Sequence, residues 1–221
     1  MAIKVMAAPG PVCFPIIAAR DEEFEIVFSK EGKADIVIDS SVSLIKRGLP
    51  IDMILLKGLS MVYPDFGKKL ILWRKGSAND YVARAIIGKE NLGTEIIYTE
   101  NQQDIMAFLK EGKADSAILP VTAPMKGITL EERAAKSGIY VPGSCSAHLD
   151  MKYADQFKDA YMKGIESFRK DPEKTAEYVL SRLPNKFSVD FIYESIQKMV
   201  PVMKEPEDYS ILKEEILNAK Q

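Results

Sequence analysis

The sequence repeats one six-residue segment, Lys-Glu-Gly-Lys-Ala-Asp, at residues 30–35 and again 80 residues later at 110–115. An apolar stretch follows each copy, and it ends at Ile38 after the first and at Leu119 after the second. Such a segment is typical of one α/β supersecondary unit, in which a glycine that can end a helix is followed by a polar pair and a short buried strand. Two copies therefore predict two similar α/β lobes in one chain. A cleft between lobes is a common place for small ligands to bind.

Strand-like and helix-like segments alternate along most of the chain. This order predicts an α/β fold whose two lobes contain mainly parallel sheets around a cleft. The pattern becomes helical from Met151 onward, where aromatic residues between Tyr153 and Phe168 are spaced for one helix face. We predict a return strand at 139–141 and a loop at 142–146, just before this helical segment.

The same reading gives the domain boundaries. We expect residues 1–60 together with about 139–221 to form lobe 1 and a C-terminal helical tail, and residues 61–138 to form lobe 2. No low-complexity segment or long polar linker separates them. The connections between the lobes should therefore be short, which permits hinge motion.

The composition narrows the class of protein. The 221 residues are 47% hydrophobic and 28% charged, and the net charge of -2 comes from interspersed charges without a basic stripe. Such a chain is typical of a globular protein and argues against nucleic acid as a partner. Cys13 and Cys145 are too few for a disulfide framework; two free thiols are favoured, and a single bridge stays open. The start of the chain lacks the pattern of a signal peptide, so we expect a cytoplasmic protein or an exported one whose signal has been removed.

Several motifs together resemble the type II periplasmic-binding-protein fold. They are the Gly-x-Ala-Asp strand starts at Gly32 and Gly112, the first strand ending in residues 8–10 (Ala-Pro-Gly), and the helix opening at 171–173 (Asp-Pro-Glu). The resemblance is strongest to the branch that holds nitrate/taurine-type and thiamine-precursor-type solute-binding proteins. It implies a protein that closes two lobes over a small molecule, with a membrane transporter as partner if the protein is exported.

One feature departs from that family. A helix normally precedes each Gly-x-Ala-Asp motif, but the first copy here follows the strand ending at Phe28 almost directly. We therefore expect a reduced first lobe.

Ligands of open α/β sheets bind beyond the carboxyl ends of the strands, where helix starts leave free N–H groups that suit an anion. The predicted ligand is a polar or anionic metabolite. Some of the serines that we select also suit helix capping, and capping alone would explain them. The candidate ligand-binding residues are Pro9, Gly10, Pro11, Ser40, Ser41, Ser60, Ser77, Asn79 and Thr122.

Two other functions stay open at this point. Cytoplasmic enzymes of the futalosine route to menaquinone share the fold, and residues 141–143 (Val-Pro-Gly) somewhat resemble a loop in them; His148 would then be the general base. A protein-interaction module with a filled cleft is the third reading. One histidine and two distant cysteines predict no metal site, and the absence of glycine-rich phosphate motifs predicts no nucleotide cofactor.

Overall fold

The computed structural model describes residues 2–29, 31–185 and 187–218. Lys30, the first residue of the first repeat copy, lies outside them. The strands are β1 (Ile3–Ala7), β2 (Phe24–Val27), β3 (Ile36–Ser40), β4 (Met53–Lys57), β5 (Ser60–Tyr63), β6 (Lys69–Trp73), β7 (Glu95–Thr99), β8 (Ser116–Pro120), β9 (Ile128–Thr129), β10 (Cys145–Leu149) and β11 (Val200–Lys204). The helices are α1 (Phe14–Ala18), α2 (Ser41–Lys46), α3 (Ala78–Glu90), α4 (Asp104–Lys110), α5 (Leu130–Lys136), α6 (Ala154–Lys170), α7 (Pro172–Arg182), α8 (Val189–Lys198) and α9 (Ser210–Asn218).

The chain divides into two compact units. Unit 1 comprises Met1–Leu56 and Cys145–Pro206, and unit 2 comprises Lys57–Ser144 and Glu207–Gln221. The lobe boundaries given above stay a prediction; they differ from these units chiefly in assigning residues 139–144 and 207–221 to lobe 1. In the structure, α9 packs on α3 of unit 2.

Five strands are arranged in the same way in the sheets of the two units, and the sheet of unit 1 has β11 as a sixth strand at its edge. The order in unit 1 is β11-β4-β10-β3-β1-β2, and the order in unit 2 is β7-β6-β8-β5-β9. In unit 1, β1, β2 and β3 are parallel, and β4 runs in the same direction because both β3 and β4 pair antiparallel with β10. In unit 2, β6, β7, β8 and β9 share one direction and β5 opposes them. The predicted α/β fold with two similar units of mostly parallel strands is confirmed.

The aspartates that end the two repeat copies have equivalent surroundings. Asp35 accepts the backbone N–H of Lys4 at 2.9 Å and donates its own N–H to the carbonyl of Lys4 at 3.0 Å. Asp115 accepts the backbone N–H groups of Lys68 and Lys69 at 3.1 and 3.0 Å, and its N–H donates to the carbonyl of Lys69. Each aspartate thus joins the third parallel strand of its unit (β3 or β8) to the start of the first (β1 or β6). The repeated segment is a structural device that fixes strand register.

The two units differ where the sequence predicts a difference. Helix α4 connects β7 to β8 in unit 2, whereas the described residues between β2 and β3 contain no helix. The segment has too few residues between Phe28 and Gly32 to form one. The carboxyl ends of the unit 1 strands therefore lack a counterpart of α4.

The predicted return strand at 139–141 is wrong. The backbone N–H of Ile139 donates to the carbonyl of Ala134, so this apolar run closes the end of α5 instead of pairing with a strand. The strand that returns to the unit 1 sheet is β10, which begins at Cys145 inside the predicted loop. Strand β11 also interrupts the segment predicted to be helical; its Pro201 is tolerated because β11 lies at a sheet edge.

Candidate functional site

The candidate site in unit 1 lies at the carboxyl ends of β1, β2 and β3. These strands are parallel, so their carboxyl ends share one edge of the sheet. The residues that follow them are the turn that leads from β1 into a short 3-10 helix at Pro11–Cys13, the pair Phe28 and Ser29 after β2, and the start of α2 after β3. Five predicted residues belong to this edge: Pro9, Gly10, Pro11, Ser40 and Ser41.

The turn after β1 is held by hydrogen bonds from Cys13 and from Tyr161 on α6. The carbonyl of Gly10 accepts the Cys13 backbone N–H at 2.9 Å and the Cys13 thiol at 3.1 Å. The hydroxyl of the fully buried Tyr161 on α6 donates to the carbonyl of Val12 at 2.9 Å. Burial raises the pKa of the Cys13 thiol to about 12, so this cysteine is a packing residue and not a nucleophile. Cys145 is also buried and forms no disulfide bond with Cys13.

The two serines after β3 have different roles. The Ser40 hydroxyl accepts the Ser43 backbone N–H at 3.1 Å and caps α2. Ser41 is buried, and its hydroxyl lies 2.8 Å from that of Ser146 on β10. Ser40 therefore has the capping role that its residue type suggests, whereas Ser41 joins α2 to β10. Its burial leaves Ser40 as the more accessible hydroxyl of this pair.

A cavity of about 210 Å³ opens at this edge. Asp39, which ends the buried part of β3, uses one carboxylate oxygen for the Ser40 N–H and the other for the Ser43 hydroxyl. The guanidinium of Arg47 lies 4.0 Å from Asp39 and supplies a cation to the cavity wall. Of the nine predicted residues, Pro9 alone is among those that line it. The lining comprises Met6, Ala7, Ala8, Pro9, Phe28, Ser29, Ile38, Asp39 and Arg47.

The candidate ligand-binding residues include neither Asp39 nor Arg47, although Asp39 belongs to the loop that supplies Ser40 and Ser41. Asp39 directly precedes the serines that we selected, so its position after a buried strand was the available signal. No local pattern marks Arg47, because it reaches the cavity from the far end of α2.

The other four predicted residues lie at the corresponding edge of unit 2. Ser77 caps α3, and Asn79 lies in the first turn of that helix, which follows β6. Thr122 follows β8. Ser60 opens β5 opposite Pro120, the last residue of β8, because β5 and β8 are antiparallel.

A buried carboxylate holds the turn before α3. Asp80 is 2% exposed; it accepts the Gly76 N–H at 2.7 Å, and its other oxygen accepts the Tyr98 hydroxyl and the Arg84 guanidinium, each at 2.8 Å. Burial, together with the hydrogen bond to Asp80, raises the pKa of Tyr98. Ser77 accepts the Asp80 N–H at 3.3 Å within this network. The first turn of α3 is therefore rigidly presented at the strand ends.

His148 lies in a strand and not beside a loop. Cys145 pairs with Ser40 at the carboxyl end of β3, whereas His148 pairs with Val37 nearer the amino end. Its Nδ1 lies 2.7 Å from a carboxylate oxygen of Asp52, and the same oxygen accepts the Leu149 N–H at 3.0 Å. This pair joins β10 to the start of β4. The placement of His148 gives no support to the alternative of a general base at the strand ends.

The described residues contain no group of three or more His, Cys, Asp or Glu side chains placed to hold a metal ion. Among the helices in the described part of the chain, none is long and apolar enough to cross a membrane.

The comparisons with known proteins decide the family. Residues 1–201 match the model of the family described as "Protein of unknown function (DUF3834)". The chain belongs to the DUF3834 family. No curated protein matches this DUF3834 sequence.

Solved structures establish the fold of this DUF3834 protein. A Thermoplasma volcanium protein, provisionally named for nitrate transport, is 21% identical with a TM-score of 0.75, covering 98% of this chain and 91% of that one. An ABC transporter protein from Parabacteroides distasonis is 14% identical with a TM-score of 0.57, covering 99% and 90%. The alkanesulfonate-binding protein of Xanthomonas axonopodis pv. citri, bound to MOPS, is 11% identical with a TM-score of 0.54, covering 99% and 91%. The chain therefore shares the fold of solute-binding and transport proteins; its branch and its relation to the futalosine enzymes stay predictions.

Proposed function

We propose that this protein binds a small polar or anionic metabolite and closes two lobes over it. The observation that carries the proposal is the equivalent sheet in each unit, with all nine predicted residues at carboxyl strand edges. Those edges are where ligands of open α/β sheets bind. The shared fold with proteins named for transport and solute binding supports the same function.

An anionic group suits the chemistry of both edges. Helix α3 is 13 residues long, and its first turn presents backbone N–H groups beside Ser77. In unit 1, Arg47 lines the cavity 4.0 Å from its ion-pair partner Asp39, whose two oxygens also accept hydrogen bonds, so the guanidinium is the group there that can donate to an anion. Two of the fold relatives are named for nitrate and for alkanesulfonate. We therefore propose a small oxyanion or an organic anion as the ligand class, and a membrane transporter as the partner if the protein is exported.

Three serine-to-alanine variants test whether the serines act only as caps. Ser40 and Ser77 cap helices at the proposed site, and Ser188 caps α8 with the same geometry, accepting the Phe191 N–H at 3.0 Å. Each substitution should lower the free energy of unfolding by about 1 kcal/mol, because each removes one N-cap. Only Ser40→Ala and Ser77→Ala should also weaken ligand binding, by about threefold to tenfold, because a neutral hydrogen bond contributes roughly 1 kcal/mol.

Calorimetric titration with nitrate, sulfate, ethanesulfonate and succinate supplies the affinities, and small-angle scattering with and without a bound anion reports closure. Binding should reduce the radius of gyration. Equal affinity in all three variants would show that the serines are caps alone. If no anion or mixed metabolite extract raises the melting temperature or changes the scattering profile, the proposed function is wrong.

A further inference from the structure

A second and larger cavity lies elsewhere in unit 1. It has a volume of about 480 Å³ and is formed by α1, the turn before β2, β2 itself and α7. This volume falls in the range of small-molecule pockets. The lining comprises Ile16, Ile17, Arg20, Asp21, Glu22, Phe24, Ile26, Phe28, Tyr178 and Arg182.

The cavity has an apolar wall along an edge strand. Phe24 and Ile26 alternate along β2, with Phe28 in the same alternation just beyond it, so their side chains share one face. Strand β2 is an edge strand, which pairs only with β1 in the described sheet. The buried side chains of Ile16 and Ile17 extend the apolar surface.

Two arginines converge on one aromatic ring beside this wall. The Cζ atom of Arg20 lies 4.1 Å from the centroid of Tyr178, and that of Arg182 lies 5.4 Å from the same centroid. Asp21 and Glu22 line the same cavity, but none of the ion pairs among the described residues includes Arg20 or Arg182. The nearby Asp21 carboxylate instead accepts the backbone N–H of Glu23 at 3.1 Å. Two positive charges at one ring attract an anion placed between them.

Arg74 is a second arginine that stacks on an aromatic ring, and it has a carboxylate partner. Arg20 and Arg74 both have a positive φ, 51° and 56°, and each stacks on an aromatic ring. Arg74 has Glu100 at 3.8 Å, whereas Arg20 has Arg182 as its charged neighbour on the ring. Asp21 and Glu22 also line the cavity, but neither carboxylate pairs with Arg20 or Arg182 in the described residues, so both guanidinium groups can still bind an anion.

We propose that this cavity is a second small-molecule site, which takes an organic anion with an apolar body. The body would pack on Phe24, Ile26 and Phe28, and the carboxylate, sulfonate or phosphate group would lie between Arg20 and Arg182. The site is independent of the function proposed above, because it requires neither unit 2 nor the serines at the strand ends. Phe28 also lines the smaller cavity, so the test uses residues away from it.

Fluorescence titration with anilinonaphthalenesulfonate tests the site, with the uncharged phenylnaphthylamine as the matched probe. The double variant Arg20→Gln/Arg182→Gln should weaken sulfonate binding by at least about tenfold, since both charge-assisted contacts are lost. The control Lys89→Gln/Lys110→Gln removes two exposed positive charges from the last turns of α3 and α4 in unit 2 and should leave the affinity within about twofold. If the two double variants bind the sulfonate equally, or the uncharged probe binds as tightly as the sulfonate, the proposal is overturned.

A second pair of variants covers the case in which the arginine variant does not fold. Ile26 is half-buried on the edge strand, so it tolerates a charged side chain better than a core position does. Ile26→Glu and Ile26→Lys place opposite charges on the same wall of the cavity. The Ile26→Lys variant should bind the sulfonate at least about tenfold more tightly than the Ile26→Glu variant. Equal binding by these variants would contradict an anion site at this position.

Discussion

Replacing Asp115 with alanine should destabilise unit 2 more than replacing Asp35 destabilises unit 1. Asp115 accepts two backbone N–H groups, from Lys68 and Lys69, whereas Asp35 accepts one, from Lys4. Hydrogen bonds to a charged acceptor contribute up to about 3 kcal/mol each, but Asp115 is exposed and water replaces part of the loss, so we take about 1 kcal/mol per bond. The expected losses in the free energy of unfolding are about 2 kcal/mol for Asp115→Ala and about 1 kcal/mol for Asp35→Ala.

Urea unfolding measures both losses. The single tryptophan, Trp73, lies in β6, the strand whose start Asp115 holds, so its fluorescence reports on unit 2. Far-UV circular dichroism reports on both units. Asp159→Ala removes an exposed carboxylate from α6 and serves as the charge-matched control. A loss below about 0.5 kcal/mol for Asp115→Ala, or an equal loss for the control, would refute the view that the repeat aspartates fix strand register.

The contribution of Asp115 to the free energy of unfolding should depend on pH. Hydrogen bonds from the Lys69 and Lys68 N–H groups hold the pKa of Asp115 below its usual value. A carboxylate with a lowered folded-state pKa stabilises the fold above its unfolded-state pKa, and this contribution is lost as the pH falls through the folded-state value. The stability difference between the wild type and Asp115→Asn should therefore shrink below about pH 4. A difference that is constant from pH 7 to pH 3 would contradict this account.

Three further predictions follow from packing and charge. Gly164→Ala should cost about 1–3 kcal/mol, because the added methyl group overlaps a backbone carbonyl of α1, whereas Gly88→Ala in the open part of α3 should stabilise the protein slightly in thermal unfolding. Cys13 should resist thiol reagents at pH 8 in the native state and react after unfolding, and rapid native labelling would contradict its burial. Arg133 hydrogen-bonds Glu90 and lowers the pKa of Glu90 to about 2, so the wild type should lose stability as the pH falls from 4.5 to about 2, and Arg133→Gln should flatten this dependence.

The repeat made the fold predictable because its information is local. An aspartate that starts a strand and the apolar run after it lie within a few residues, and they form equivalent contacts at Asp35 and at Asp115. The glycine ends a helix only in the second copy, where Gly112 follows α4. The missing helix before the first copy was also evident from the length of the segment after Phe28. Helix starts were visible at Ser40 and Ser77 because an N-cap requires only neighbouring residues.

Strand pairing between residues far apart in the chain could not be predicted from the sequence. Residues 139–141 have the composition of a strand, but their backbone closes α5, and β10 begins in the segment that was predicted to be a loop. Most of the residues that line the cavities were also not predicted. Arg47 directly follows α2 and Tyr178 belongs to α7, and the sequence pattern of those helices indicates only which face packs on the core.

The sequence by itself determined that the chain forms two related α/β units, since periodicity, caps and the repeated aspartate act over a few residues. Only the tertiary structure decided what those units bring together. His148 pairs with Asp52 across 96 residues of chain, and Arg20 meets Arg182 on the ring of Tyr178. Such contacts depend on how helices pack on a finished sheet, and no short window of sequence contains both partners.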